Sequence, residues 1–266
     1  MAFADKVIVI TGASEGIGAE LARQLSRDRP KLVLAARRLD ALQAVAAQCE
    51  ALGAKTFVKV ADVSIEADCR SLIAHAVDTF GGIDVLVNNA GISMHANFDE
   101  IADTGVYEKL MRINLMGSIW PTHAALAHLK SSKGLVVAVA SLAGLIGVPG
   151  RTTYCATKFA QTGFFEALRV ELAPDGVAVC IVYPGVVATE IRRNGWNAQG
   201  QPARVSGVNE SGAMSVKECA ALIVAAIRLR KREEVMTAKG KLGRWIKLIA
   251  PKKLDAMARA VLAKGR

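Results

Sequence analysis

The 266-residue sequence has little of what builds disulfide scaffolds or metal centres. Its five cysteines, at 49, 69, 155, 180 and 219, are odd in number and never paired as Cys-x-x-Cys. That excludes a disulfide framework and a zinc ribbon, and a reducing compartment is the natural home. His75, His95, His123 and His128 lack ligand spacing, so packing or surface roles and no metal are expected. No long apolar leader is evident, because Asp5 and Lys6 precede a short run ending in Thr-Gly. The uncharged stretch Gly134–Gly150 holds four glycines and a proline, and fits a buried strand with its loop better than a membrane span.

The main body also lacks net charge. The whole chain carries +10, yet residues 1–227 hold 21 basic and 21 acidic side chains. Residues 228–266 hold 13 basic and 3 acidic, so the excess belongs to the carboxyl-terminal segment. A neutral body offers no base-reading module, and nucleic acid is not expected as a partner.

What is present is 52% hydrophobic sequence, enough for one generous domain core. Apolar runs at 7–10, 32–36, 56–60, 85–87, 135–140, 177–182 and 235–237 read as strands buried on both faces. Helical periods fall at 17–27, 41–52, 65–80, 106–128, 154–172 and 216–230, the last opened by a Ser215/Glu218 capping box. The alternation predicts a single doubly wound α/β domain over 1–238, with about seven parallel strands and helices on both faces. Ligand sites belong at the strand carboxyl ends. Residues 194–213 read as a long mobile loop.

The first strand runs into Thr11-Gly12-Ala13-Ser14-Glu15-Gly16-Ile17-Gly18. Glycines there admit a tight turn and close approach of a pyrophosphate to a helix N-terminus, although a glycine-rich turn can also bind nothing. The second strand ends in Ala36-Arg37-Arg38, with no carboxylate for a ribose 2′-hydroxyl. Arg37, helped by Ser14 and Arg38, suits a 2′-phosphate, and hence NADP(H); the plain alternative is two solvated arginines. Asp62-Val63 and Asn88-Asn89-Ala90-Gly91 follow the third and fourth strands, where a dinucleotide would pass, or serve as ordinary turns.

Ser141 ends the fifth strand, and Tyr154 and Lys158 follow with helical spacing of four. A nearby ammonium favours phenolate, so Tyr154 can exchange a proton with a carbonyl or carbinol oxygen that Ser141 holds. Cys155 points a quarter-turn away and reads as a packed side chain. Met94, His95 and Phe98, after Asn88–Gly91, are candidate substrate contacts; Trp196, beside Arg192 and Arg193, is another, with plain loop packing as its alternative.

The ordered set Thr11–Gly18, Asp62, Asn88–Gly91, Asn114, Ser141, Tyr154/Lys158 and Pro184-Gly185 with Thr189 resembles the short-chain dehydrogenase/reductase family over about residues 5–237. The resemblance implies hydride transfer with a nicotinamide cofactor and Tyr154 as general acid/base. It also implies a water held by Asn114 in a relay through Lys158, ribose contact by Lys158, Val187 and Thr189 at the carboxamide end, and a substrate loop at about 190–214. A homodimer or homotetramer follows from the family alone. Arg37 and the 141–150 loop look most like NADP(H)-using hydroxysteroid dehydrogenase-like reductases, with an apolar substrate. Glu15 departs from that pattern, since a base is frequent at its position. A cofactor-binding regulatory or scaffold protein without turnover is the competing reading.

The last segment, 239–266, places Leu242, Trp245, Ile246 and Ile249 on one helical stripe, and Leu254, Met257, Ala258, Val261 and Leu262 on another. Pro251 stands between them. A basic amphipathic helix with a tryptophan suits a membrane surface; the alternatives are a lid or dimer helix that buries the stripe against protein, and a charged solvated face. A cytoplasmic protein is expected, with peripheral membrane contact through 239–266 left open.

Overall fold

The apolar runs become seven strands among the described residues. They are β1 (Val7–Thr11), β2 (Lys31–Ala36), β3 (Lys55–Val60), β4 (Val85–Asn88), β5 (Leu135–Val139), β6 (Ala178–Tyr183) and β7 (Glu233–Val235). The structure, a computed structural model, describes residues 3–191, 194–204 and 212–264, the last four as backbone only. All neighbouring strands pair in parallel, in the order β3-β2-β1-β4-β5-β6-β7. Chain order reverses between β1 and β4, which opens a crevice at their carboxyl ends.

Nine α-helices cover the sheet or extend from it among the described residues. They are α1 (Gly16–Ser26), α2 (Leu39–Ala51), α3 (Glu66–Phe80), α4 (Gly105–Met111), α5 (Gly117–Ser132), α6 (Thr152–Leu172), α7 (Val216–Arg228), α8 (Ala238–Ile249) and α9 (Pro251–Lys264). Alternate strand residues serve two cores, as the two-residue period of a pleated strand requires. Ile8 and Ile10 lie with Leu21 of α1, Leu42 of α2 and Ile223 of α7. Val9 lies with Leu72 of α3, Leu129 of α5 and Phe165 of α6. The capping box stands as read: Ser215 Oγ accepts from Glu218 N, and the Glu218 carboxylate accepts from Ser215 N.

Three elements differ from the reading. The helix expected over 106–128 is two helices joined by a π turn, Arg112–Met116. Its Asn114 side chain bonds across to Ile92 and Thr157, so the helix widens where that residue turns inward. The last strand lies at 233–235 and not 235–237. As an edge strand it tolerates Glu233 and Glu234, which pair with Arg244 and Lys231, while Thr237 caps α8 by accepting from Gly240 N. The stripe assigned to α8 shifts as well. Gly240 and Gly243 face the body, Ile246 is half-buried, and Leu242, Trp245, Leu248 and Ile249 face outward, between 59% and 79% exposed. Val261 and Leu262 of the second stripe lie outside the described side chains.

Candidate active site

Glycine chemistry shapes the crevice floor. Gly12 has φ +66°, and a Cβ on it would meet Ala90 Cα at 2.9 Å. Gly18 backs onto the same turn: its Cβ would fall 2.3 Å from Gly12 O and 2.6 Å from Asn89 Nδ2. Asn89 Nδ2 donates to Thr11 O and Gly12 O, and Thr11 Oγ1 accepts from Asn89 N and Ala90 N. The β1 and β4 ends are thus stitched together. Gly18→Ala is expected to cost about 1–3 kcal/mol by overpacking, read as a lower denaturation midpoint by circular dichroism.

A cleft of about 630 Å³ runs over this floor, lined by Gly12, Ser14, Glu15, Gly16, Ile17, Arg37, Arg38, Asp62, Val63, Asn89, Ala90, Gly91 and Thr189. Ile113, Glu190, Ile191, Asn194 and Pro202 also line it and were not singled out in the sequence, where no motif marks them. Asp62 does not point its carboxylate solely into the cleft, because Oδ1 accepts from Ser64 N. Arg38 pairs with Glu15 at 2.7 Å, which offsets the acid that departs from the basic pattern. Arg37 is exposed at the rim.

The cleft suits a dinucleotide. The α1 N-terminus opens onto it at Gly16, whose φ is +55° and whose Cβ would project toward Thr189 at 3.6 Å. Across from it, buried Thr189 Oγ1 has no hydrogen-bond partner among the described residues. Pro184, Gly185 and Val187 precede Thr189 on the segment that leaves β6. Pro184 O accepts from Leu142 N, Gly185 packs against Thr237, and buried Val187 bridges to Met214, so all three hold the β6 exit.

Ser141 closes β5, and its Oγ accepts from Ala143 N, capping the short turn Leu142–Gly144. A Cβ on Gly144 would lie 2.7 Å from Lys158 O, so that turn sits directly on α6. The contact fixes Ser141 relative to the helix carrying Tyr154 and Lys158. Tyr154 is buried, and Lys158 Nζ lies 5.8 Å from its ring centroid. Lys158 is itself buried, and burial pushes its ammonium down to about 7. Gly91 brings the inner end of the cleft to this lysine, since its Cβ would stand 3.8 Å from Nζ.

The residue missed by sequence reading is Gln161, one helical step beyond Lys158. Its Oε1 accepts from Lys158 Nζ at 2.8 Å, and its Nε2 donates to Asn114 O at 2.7 Å. Spacing of three on one helix face was the available signal.

Beyond Tyr154, Met94 and Trp196 join Val106, Leu110 and Cys155 in one apolar cluster. Within the 194–213 loop, the described residues 194–204 form a small clasp. Trp196 bridges to Met94 and Pro202, and its backbone bonds Ser93 and His95. His95 has an exposed side chain, as does Phe98. Cys155 is packed, with Sγ accepting from Val148 N and burial pushing the thiol up. Arg192 and Arg193 lie outside the described residues. Among the described residues no cluster has metal-binding composition, and the cysteines are free and buried.

Comparison with known proteins agrees with this geometry. Residues 6–200 match the family model described as short chain dehydrogenase. An Arabidopsis thaliana protein named 11-beta-hydroxysteroid dehydrogenase-like 4A is 43% identical over 183 residues, 68% of this chain and 61% of that protein. The chain therefore spans less than two thirds of that relative's length. An 11-beta-hydroxysteroid dehydrogenase A of Sesamum indicum is 36% identical over 95% of this chain and 74% of its own length. An X-ray structure of an alcohol dehydrogenase from the archaeon Thermococcus sibiricus, complexed with 5-hydroxy-NADP, superposes with a TM-score of 0.75 at 27% identity. It covers 86% of this chain and 94% of its own. The chain belongs to the short-chain dehydrogenase family.

Proposed function

We propose that this chain is an NADP(H)-dependent oxidoreductase interconverting a carbonyl and a secondary alcohol on an apolar, steroid- or lipid-like substrate. The observation that carries the reading is the meeting of Tyr154, buried Lys158 and the Gly91 end of the dinucleotide cleft. A bound nicotinamide supplies or accepts the hydride at its C4. The protein's part is orientation and proton management. Tyr154 Oη gives its proton to the carbonyl oxygen during reduction and takes it back during oxidation. Ser141 Oγ donates a hydrogen bond to that same oxygen. Lys158 favours the phenolate by its charge and contacts the cofactor ribose. The Met94–Trp196 cluster keeps water from the reacting carbon and accounts for an apolar substrate. Arg37, with Ser14, holds the 2′-phosphate, and the nucleotide named with the Thermococcus sibiricus structure is of the NADP type. The test is NADPH consumption against a panel of apolar ketones and aldehydes. Turnover of at least one supports the reading, whereas tight NADPH binding with no consumption across the panel favours a regulatory or scaffold protein.

The reading extends to location. Among the described residues no helix is long and apolar enough to cross a membrane. The outward apolar face of α8 sits in a segment with nine Lys/Arg and one Asp from 239 onward. Two such segments face to face would repel, whereas an anionic lipid surface complements the charge and takes the tryptophan. The wild type is expected to co-sediment with phosphatidylserine vesicles and the double substitution Trp245→Ser, Ile249→Ser to remain in the supernatant. Equal partition of the two would overturn the membrane reading.

A further inference from the structure

We propose that Gln161 is a positioning residue, holding the Lys158 ammonium beside Tyr154 by bridging it to a backbone carbonyl of the π turn. Five buried groups carry the argument. Lys158 Nζ donates to Val139 O at 3.0 Å and to Gln161 Oε1 at 2.8 Å. Gln161, fully buried, donates from Nε2 to Asn114 O at 2.7 Å and to Ser118 Oγ at 2.6 Å. Ser118 Oγ in turn donates to Asn114 O.

The amide orientation is dictated by its neighbours. An ammonium only donates and a carbonyl only accepts, so Oε1 must face Lys158 and Nε2 must face Asn114. Reversal would set donor against donor and acceptor against acceptor inside the core, a costly arrangement. Asn114 is equally fixed, since its side chain is engaged by Ile92 and Thr157. Gln161 therefore spans two rigid elements, and its carbonyl oxygen is a preset acceptor for the lysine.

The acceptor matters because no carboxylate touches this lysine among the described residues. β5 offers the Val139 carbonyl, and the π turn with the start of α5 offers Asn114 and Ser118, all uncharged. The β4 loop offers Gly91. On α6 itself the titratable neighbour is Tyr154, with Arg151 lying 6.0 Å from its ring centroid. A buried cation needs hydrogen-bond acceptors to remain charged, and Gln161 supplies one of two. Losing it disfavours the charged form; replacing it by a carboxylate favours it. The charge of Lys158 is what biases Tyr154 toward phenolate, so Gln161 acts on the reaction through Lys158 and touches no substrate. In this respect the inference rests on the oxidoreductase reading above.

The test reads the lysine directly, in full-length protein without added cofactor. Protein labelled with 13C at lysine Cε is titrated by NMR, and the Lys158 signal is assigned by its loss in Lys158→Met. In Gln161→Met, which keeps length and apolar packing, the Lys158 midpoint is expected to fall by about one pH unit, a tenfold change in proton affinity. In Gln161→Glu it is expected to rise by at least about as much. A merely structural role would change melting temperature and leave the midpoints in place. Unchanged midpoints in both folded variants would overturn the proposal. Should the midpoints move as stated while no carbonyl compound is turned over, the lysine-holding role stands and the oxidoreductase reading falls.

Discussion

Tyr154→Phe is expected to lower kcat by about 10²–10⁴-fold, the range that one well-placed general acid/base contributes. NADPH affinity should hold within about threefold, because the loss concerns an interaction made in the transition state. The two side chains differ by one oxygen, and the ring lies in an apolar cluster with Met94, Cys155 and Ala143. The fold therefore has no reason to change, and a circular dichroism melt serves as the control. Stopped-flow or steady-state NADPH consumption with the best carbonyl substrate gives kcat, and fluorescence titration gives the NADPH Kd. Near-normal turnover in this variant would remove Tyr154 from the proton step.

Arg37→Ala is expected to raise the Kd for NADPH by about 10–100-fold, the loss of one charged hydrogen-bonding contact of about 1.5–3 kcal/mol. NADH has no 2′-phosphate, so its Kd should move by less than about threefold. The local electrostatics favour Arg37 over its neighbour for this role, since the Arg38 guanidinium is engaged by Glu15 at the same rim. Arg37 is solvent-exposed, so the difference between the two cofactors should shrink as salt is raised. Isothermal titration of both nucleotides into wild type and variant measures it. Equal losses for NADPH and NADH would reject the phosphate role of Arg37.

Much of the fold was legible in the sequence for a simple reason. A parallel strand covered on both faces is apolar at every position, and β1, β5 and β6 are such runs. The glycine turn was equally legible, since Gly18 has no room for a Cβ against Gly12. β7 was displaced because an edge strand tolerates charge: Glu233 and Glu234 break the apolar pattern that marks the other strands. The π turn at Asn114 leaves no periodic trace, for one inserted backbone step is smaller than the scatter of helical patterns. The roles of Pro184, Gly185 and Val187 came from resemblance alone, and the fold sets all three at the β6 exit, just before Thr189. Gln161 was illegible for a different reason. A buried glutamine reads as an ordinary helix residue until the fold brings the Asn114 carbonyl to its amide.

The electrostatic division seen in the sequence has a spatial counterpart. The formally neutral body holds the cleft, with Arg37 exposed at its rim and Lys158 buried beside its Gly91 end. The basic excess falls mostly on α8 and α9, which follow the edge strand β7 in the chain.

The most direct test of the central claim follows hydride itself. NADPH deuterated at C4 is incubated with the protein and a reactive apolar ketone, and the alcohol is analysed by mass spectrometry. Deuterium on the carbinol carbon, from one face of the nicotinamide only and lost in Tyr154→Phe, is the predicted result. Stoichiometric NADPH binding with no label reaching any carbonyl compound would contradict the account.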